Sequence, residues 1–194
     1  MNVFFLTVIS YFAASIPFGY LIAKLKKIDI RKIGSGNIGA TNVNRALGLR
    51  YALVVAMFDM LKGIIPTLTA FLLFTNQQYI ALVAFAAFLG HIFPVYLKFK
   101  GGKGVATFAG TFLVIAGIKV FFLTAIIWLV CLYLTKIMSL TNLVLSVLIP
   151  FIFLIVMYSI PYFIYSMVAC IIIFWSHRAN IVRIKKKTEG KLFI

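Results

Sequence analysis

Acidic side chains are almost missing. Only Asp29, Asp59 and Glu189 carry carboxylates, against nineteen lysines and arginines, for a formal charge of +16. So few and so scattered, they argue against paired-carboxylate catalysis and against a carboxylate-held Mg²⁺ site. Histidine (His91, His177) and cysteine (Cys131, Cys170) are as scarce, and none has metal-ligand spacing. The chain is therefore read as using no metal and no cofactor, with each cysteine a small buried hydrophobe. No basic residue precedes the first apolar stretch, as it would in a cleavable signal peptide, so residues 1–11 are read as a retained anchor. Neither an internal repeat nor a low-complexity linker is visible. Residues 1–194 are read as a single domain.

What the chain does have is hydrocarbon. At 64% hydrophobic residues and a mean hydropathy of +1.13, it lacks the polar surface to cover a soluble globule. The expected class is an all-α polytopic membrane helix bundle. Its positive excess could suit nucleic acid, anionic lipid or a phosphorylated substrate, and the hydrophobicity sets nucleic acid last; no obligate protein partner is evident. Apolar runs at 3–23, 51–74, 79–97, 105–118, 120–134, 140–159 and 160–175 predict about seven transmembrane helices. The runs at 105–118 and 120–134 are short, each roughly 20 Å of helix. Seven spans collect nearly all lysine and arginine on one side, which the positive-inside rule makes cytoplasmic, with the N-terminus outside and the C-terminus inside. An even count strands the basic tail outside. Five spans would need one helix over 140–175, roughly 54 Å long against a ~30 Å hydrocarbon core.

Three polar clusters fall on that cytoplasmic side. Residues 34–45 read Gly-Ser-Gly-Asn-Ile-Gly-Ala-Thr-Asn-Val-Asn-Arg. Closely spaced glycines let backbone N–H groups converge on an anion, and Arg31, Lys32 and Arg45 flank them; ordinary turn chemistry is the competing reading. A second cluster, Gly101-Gly102-Lys103-Gly104, opens a predicted span and adds a helix N-terminus to a lysine. It is not a Walker A motif, because Gly104 rather than Ser or Thr follows Lys103 and Leu97 replaces the first glycine. His177 to Glu189 forms the third cluster. Within the second span, Asp59 and Lys62 are three apart and could pair on a face turned to the bundle interior, in a structural or a functional role. Each histidine could be a general base or an interfacial anchor. Ser35 and Ser139 belong to no visible Ser-His-Asp arrangement, which leaves an acyl-serine intermediate weakly supported.

Long ordered blocks then carry a family resemblance: Ser15-Ile16-Pro17-Phe18-Gly19-Tyr20, the stretch 31–48, Asp59-Met60-Leu61-Lys62-Gly63, Gly90-His91-Ile92-Phe93-Pro94, Phe99 through Thr107, and His177-Arg178-Ala179-Asn180-Ile181-Val182-Arg183 with Glu189. The chain resembles the bacterial integral-membrane acyl-phosphate:glycerol-3-phosphate acyltransferases. That resemblance implies transfer of a fatty acyl group from acyl phosphate to the 1-hydroxyl of glycerol 3-phosphate at the bacterial cytoplasmic (inner) membrane, yielding lysophosphatidic acid and phosphate. The expected catalytic residues are Ser35, Arg45, Lys103, His177 and Asn180. Expected at the substrates are Gly34, Gly36, Asn37, Gly39, Thr41, Asn42, Gly101, Gly102, Gly104, Thr107, Arg178 and Glu189. Residues 101–104 would hold glycerol phosphate and the first loop the second phosphate, or the reverse. Neither histidine begins a His-x-x-x-x-Asp motif, which argues against the acyltransferases that use acyl-CoA or acyl carrier protein. A transporter for a phosphorylated anion is the alternative from another class.

Overall fold

The structure is a computed structural model and describes residues 2–191. Nine α-helices are present among them: α1 (Val3–Ala14), α2 (Phe18–Leu25), α3 (Ala40–Leu47), α4 (Leu49–Leu73), α5 (Gln77–Ile92), α6 (Val105–Thr135), α7 (Met138–Phe151), α8 (Ile160–Ser176) and α9 (Arg178–Lys185). Short-range chemistry sets their ends. Asn2 and Asn76 cap α1 and α5, their side chains accepting from the backbone N–H of Phe4 and Gln78 at 2.9 and 2.8 Å. Pro17 lacks an N–H and biases Ile16 away from helix, so the first apolar run breaks after α1 and restarts as α2.

Five stretches are long and apolar enough to cross a membrane: Val3–Leu25, Leu49–Leu73, Gln77–Leu97, Val105–Thr135 and Met138–Val156. The pair Ile160–Ser176 and Arg178–Lys185, bent by 61°, makes a sixth if counted as one. Seven were expected: the runs 105–118 and 120–134, set apart in sequence by Gly117 and Lys119, share the 31-residue stretch α6, which is two helical pieces joined at a kink, and the last run counts as a span only together with α9. The interruption is at Gly117, whose φ of 80° and ψ of 164° are non-helical.

Residues 1–114 and 115–194 form two compact units, with the boundary inside α6. In the first unit α1 packs along α5 and α4, and α4 also meets α5 and α3. The approach of α4 to the start of α6 is close enough to exclude side chains. A Cβ on Gly63 would strike the Thr107 carbonyl oxygen, and one on Gly110 would strike that of Met60. Beneath the first polar loop, Ala23, Ile30, Ile38, Val43 and Val55 form an apolar cluster onto which Leu97, from the end of the third span, also packs. In the second unit α7 and α8 pack together and α9 rests on both. Large apolar side chains such as Phe5, Leu53, Leu72, Ile126 and Leu129 remain exposed, as a lipid-facing surface requires. Cys170 is buried as expected, whereas Cys131 is only half-buried.

Candidate functional site

Residues 26–39 carry the chain from α2 to α3, and their polar groups turn inward on each other. Asn42 is the hub, 2% exposed. Its Nδ2 donates to the carbonyls of Ile30, Ile33 and Asn37 at 3.2, 2.9 and 2.9 Å, and its Oδ1 accepts from Ser35 N–H at 2.9 Å. The loop closes around that amide because Gly34 and Gly36 take φ of 57° and 69°, and a Cβ on Gly34 would collide with Asn42 Oδ1. Three further amides are engaged as well. Gly36 N–H donates to Ile33 O at 3.0 Å, Asn37 N–H to Ser35 Oγ at 3.5 Å, and Gly39 N–H to Asn37 Oδ1 at 2.9 Å. Local acceptors thus use four N–H groups of the loop, those of Ser35, Gly36, Asn37 and Gly39. The loop can also offer a ligand the side chains of Ser35 and Thr41, with Arg45 in the last turn of α3, whose Cδ lies beside Gly34.

One flanking cation is already matched. Arg31 donates to Asp29 through Nε and Nη2 at 2.9 Å each, and its guanidinium lies 4.9 Å from the centre of the Tyr20 ring. Hydrogen bonding to Arg31 holds the pKa of the half-buried Asp29 carboxyl down at about 2.

The second loop caps α5. Gly101 N–H donates to Ile92 O at 3.0 Å and Gly102 N–H to His91 O at 3.1 Å, satisfying carbonyls that a helix end leaves without partners. Neither glycine has room for a Cβ: Gly101 faces the His91 carbonyl and Pro94, Gly102 the His91 ring. Gly104, at φ 83°, then starts α6, and Phe108 N–H returns to Gly104 O at 2.8 Å. Lys103 therefore stands at the N-terminal end of α6, where helix dipole and ammonium act together on an anion. Thr107 is fully buried and ties α6 to α4 by donating its hydroxyl to Asp59 O at 2.8 Å.

Asp59 and Lys62 pair as expected and are buried, Lys62 Nζ lying 3.0 Å from Asp59 Oδ1. The same ammonium donates to Ile16 O at 2.9 Å, at the break between α1 and α2. His91 joins them, its Nδ1 3.6 Å from Asp59 Oδ1.

The second unit has its own polar cluster. Glu189 accepts from Ser139 Oγ (2.9 Å), Asn180 Nδ2 (2.6 Å) and Arg183 Nε (2.6 Å). Burial opposes ionisation of this carboxyl, but the three hydrogen bonds outweigh it and hold its pKa below the ordinary value. His177 is 1% exposed, with Nδ1 2.9 Å from Ile173 O. A carbonyl only accepts, so Nδ1 carries the hydrogen and proton exchange falls to Nε2. Arg178 stands apart from this cluster, over the Trp175 ring at 4.5 Å and donating to Trp175 O at 3.0 Å. An apolar groove of about 460 Å³ opens between α7, α8 and α9, lined by Leu140, Leu143, Val147, Phe174 and Ile181.

Within the first unit, then, Ser35 and Arg45 lie in segments that build one apolar cluster, and Leu97, four residues before the 101–104 loop, packs on it. His177, Asn180 and Glu189 gather in the second. Ser139 and Arg183 had no assigned role from sequence; the signal that could have found them is that a lone carboxylate in a basic tail must be paired. The family model for glycerol-3-phosphate acyltransferase matches residues 4–187. Among similar proteins, the glycerol-3-phosphate acyltransferase of Rubrobacter xylanophilus is 40% identical over 96% of this chain and 93% of its own. That of Geobacter sulfurreducens is 38% identical over 98% of both. Crystal structures of PlsY, an integral membrane glycerol 3-phosphate acyltransferase, are 36% identical and cover 98% of this chain and 95% of theirs. They have TM-scores of 0.93 for the glycerol 3-phosphate form and 0.90 for the lysophosphatidic acid form.

Proposed function

The chain belongs to the glycerol-3-phosphate acyltransferase family and acylates glycerol 3-phosphate as a multi-pass membrane enzyme, and from that premise we propose that its donor is an acyl phosphate and that transfer is direct. The 1-hydroxyl oxygen of glycerol 3-phosphate attacks the carbonyl carbon of the mixed anhydride. The bond from that carbon to the phosphate oxygen breaks, and inorganic phosphate leaves. The hydroxyl proton goes to His177 Nε2 or to a substrate phosphate. An anhydride is already activated, so the protein's task is to align two anions, suppress their repulsion and stabilise the oxyanion.

The observation that carries this reading is the placement of Lys103 at the start of α6, in a unit whose other polar loop presents Ser35 and Arg45. Residues 101–104 are assigned the glycerol phosphate, and Ser35, Asn37, Thr41 and Arg45 the donor phosphate. His177 and Asn180 act on the hydroxyl or the carbonyl. The apolar groove in the second unit suits a fatty chain. Loops 26–39 and 98–104 are assigned to the cytoplasm of a bacterial inner membrane, because Lys24, Lys26, Lys27, Lys32, Lys98, Lys100 and Lys103 lie in or beside them.

Purified protein in detergent, given acyl phosphate and glycerol 3-phosphate, should release phosphate and lysophosphatidic acid one for one. Lys103→Ala and Arg45→Ala should each lower kcat/KM by about 100-fold or more. Turnover with acyl-CoA or acyl carrier protein but not with acyl phosphate overturns the donor assignment. An acyl-enzyme trapped by rapid quench, and absent in Ser35→Ala, overturns direct transfer.

A further inference from the structure

Three ionisable side chains lie inside the first unit and take no part in the transfer above: Asp59, Lys62 and His91, exposed by 4, 7 and 4%. Charged groups inside an apolar bundle are costly and are kept where they serve a site. Lys62 is satisfied by Asp59 Oδ1 at 3.0 Å and Ile16 O at 2.9 Å, with the Phe18 ring 5.5 Å away. His91 Nδ1 faces the same carboxylate oxygen at 3.6 Å, beyond hydrogen-bond length, and has no hydrogen-bond partner. On its other edge, Nε2 meets Gly102 so closely that any Cβ there would collide with it, while the His91 carbonyl accepts from Gly102 N–H at 3.1 Å. One residue therefore holds Gly102 through both its ring and its backbone, and the next residue is Lys103.

We infer that His91, wedged between Asp59 and Gly102, is a positioning residue that sets the loop presenting Lys103 to glycerol 3-phosphate. This rests on the assignment of residues 101–104 to the glycerol phosphate. The network continues beyond the histidine. Lys62 fixes Ile16 O at the break before α2, and on α2 a Cβ at Gly19 would strike the Ile38 carbonyl of the other polar loop. Asp59 is the one group shared by both arms, so its loss should disturb both loops where loss of His91 disturbs one.

The test is a comparison of steady-state constants for the two substrates, with thermal unfolding followed on the same samples. His91→Ala should raise KM for glycerol 3-phosphate about tenfold and leave kcat and KM for acyl phosphate within about twofold. Asp59→Asn should raise both KM values. Gly102→Ala should raise KM for glycerol 3-phosphate further, because its Cβ meets the ring, and adding His91→Ala to it should recover part of that loss. A purely structural histidine gives neither the split between substrates nor the recovery. Unchanged KM for both substrates in His91→Ala, or additive losses in the double variant, overturns the inference. A rise in KM for acyl phosphate alone upholds the wedge and overturns the loop's substrate assignment. Should His91→Ala fail to fold, His91→Asn carries the same comparison, since it keeps a nitrogen near the Nδ1 position and vacates that of Nε2.

Discussion

Asn42 shows how little freedom one side chain can have. Its amide faces three carbonyls with its nitrogen and one N–H with its oxygen, and the opposite orientation would set oxygen against oxygen. At a net ~1 kcal/mol per hydrogen bond, Asn42→Ala should cost on the order of 3 kcal/mol. Asn42→Asp, although closer in shape, should be worse, because it turns a donor toward the carbonyls of Ile30, Ile33 and Asn37 into an acceptor. Thermal unfolding of the purified protein, with phosphate release measured in parallel, checks the order wild type, Ala, Asp. An Asp variant as stable as wild type would remove the amide from its place as hub. The sequence pattern singled out this asparagine but not its use: a motif shows that an amide is present, and only the fold shows whether it meets a ligand or its own backbone. Arg31 is a parallel case, a cation beside the glycine run whose charge Asp29 already matches.

Helices were the most legible elements, since runs of apolar residues mark where backbone must satisfy itself in lipid. The second and third spans fall within two residues of the ends read from hydropathy, at Leu49–Leu73 and Gln77–Leu97. The short polar helices α3 and α9 gave no such signal, and the count of spans turns on whether the kink at Gly117 bends α6 or reverses the chain. Close helix crossings were equally hidden, because a glycine inside an apolar run reads like any other small residue. Two glycines separate the effects. Gly110 lies against the Met60 carbonyl, whereas Gly117 has open space but a φ of 80°. Gly110→Ala must push α6 from α4 and also weaken the bond from Thr107 to Asp59 O, while Gly117→Ala meets one local penalty, that of a backbone region almost reserved for glycine, on the order of 1–3 kcal/mol. The melting temperature should therefore fall more for Gly110→Ala. The reverse order would mean that the crossing relaxes without loss.

At the scale of the whole molecule the unsettled quantity is parity. If each of the first three candidate spans crosses, the two polar loops of the first unit share one side of the membrane, and the lysine-based proposal makes that side the cytoplasm. The tail carries Arg178, Arg183, Lys185, Lys186, Lys187 and Lys191, so the same rule draws the C-terminal end to the cytoplasm too. Both hold only if the chain crosses an odd number of times. Counting α6 and the bent pair α8 and α9 as one crossing each gives an even number, six. Dividing α6 at Gly117, where the helical backbone is interrupted, restores an odd one. Sidedness labelling decides the matter in a chain bearing Cys131→Ala and Cys170→Ala. Single cysteines at Lys32, Lys100, Asn76, Lys119 and Lys191 would be treated with a membrane-impermeant maleimide in right-side-out vesicles and after permeabilisation. Asn76→Cys should react before permeabilisation, and Lys32→Cys and Lys100→Cys only after it. If Lys191→Cys also waits, the number of crossings is odd: seven, with a reversal at Gly117, if Lys119→Cys reacts before permeabilisation, and five if it does not. Immediate reaction at Lys191 would make α6 a single span and place six basic residues on the outer face, against the rule that orients the rest.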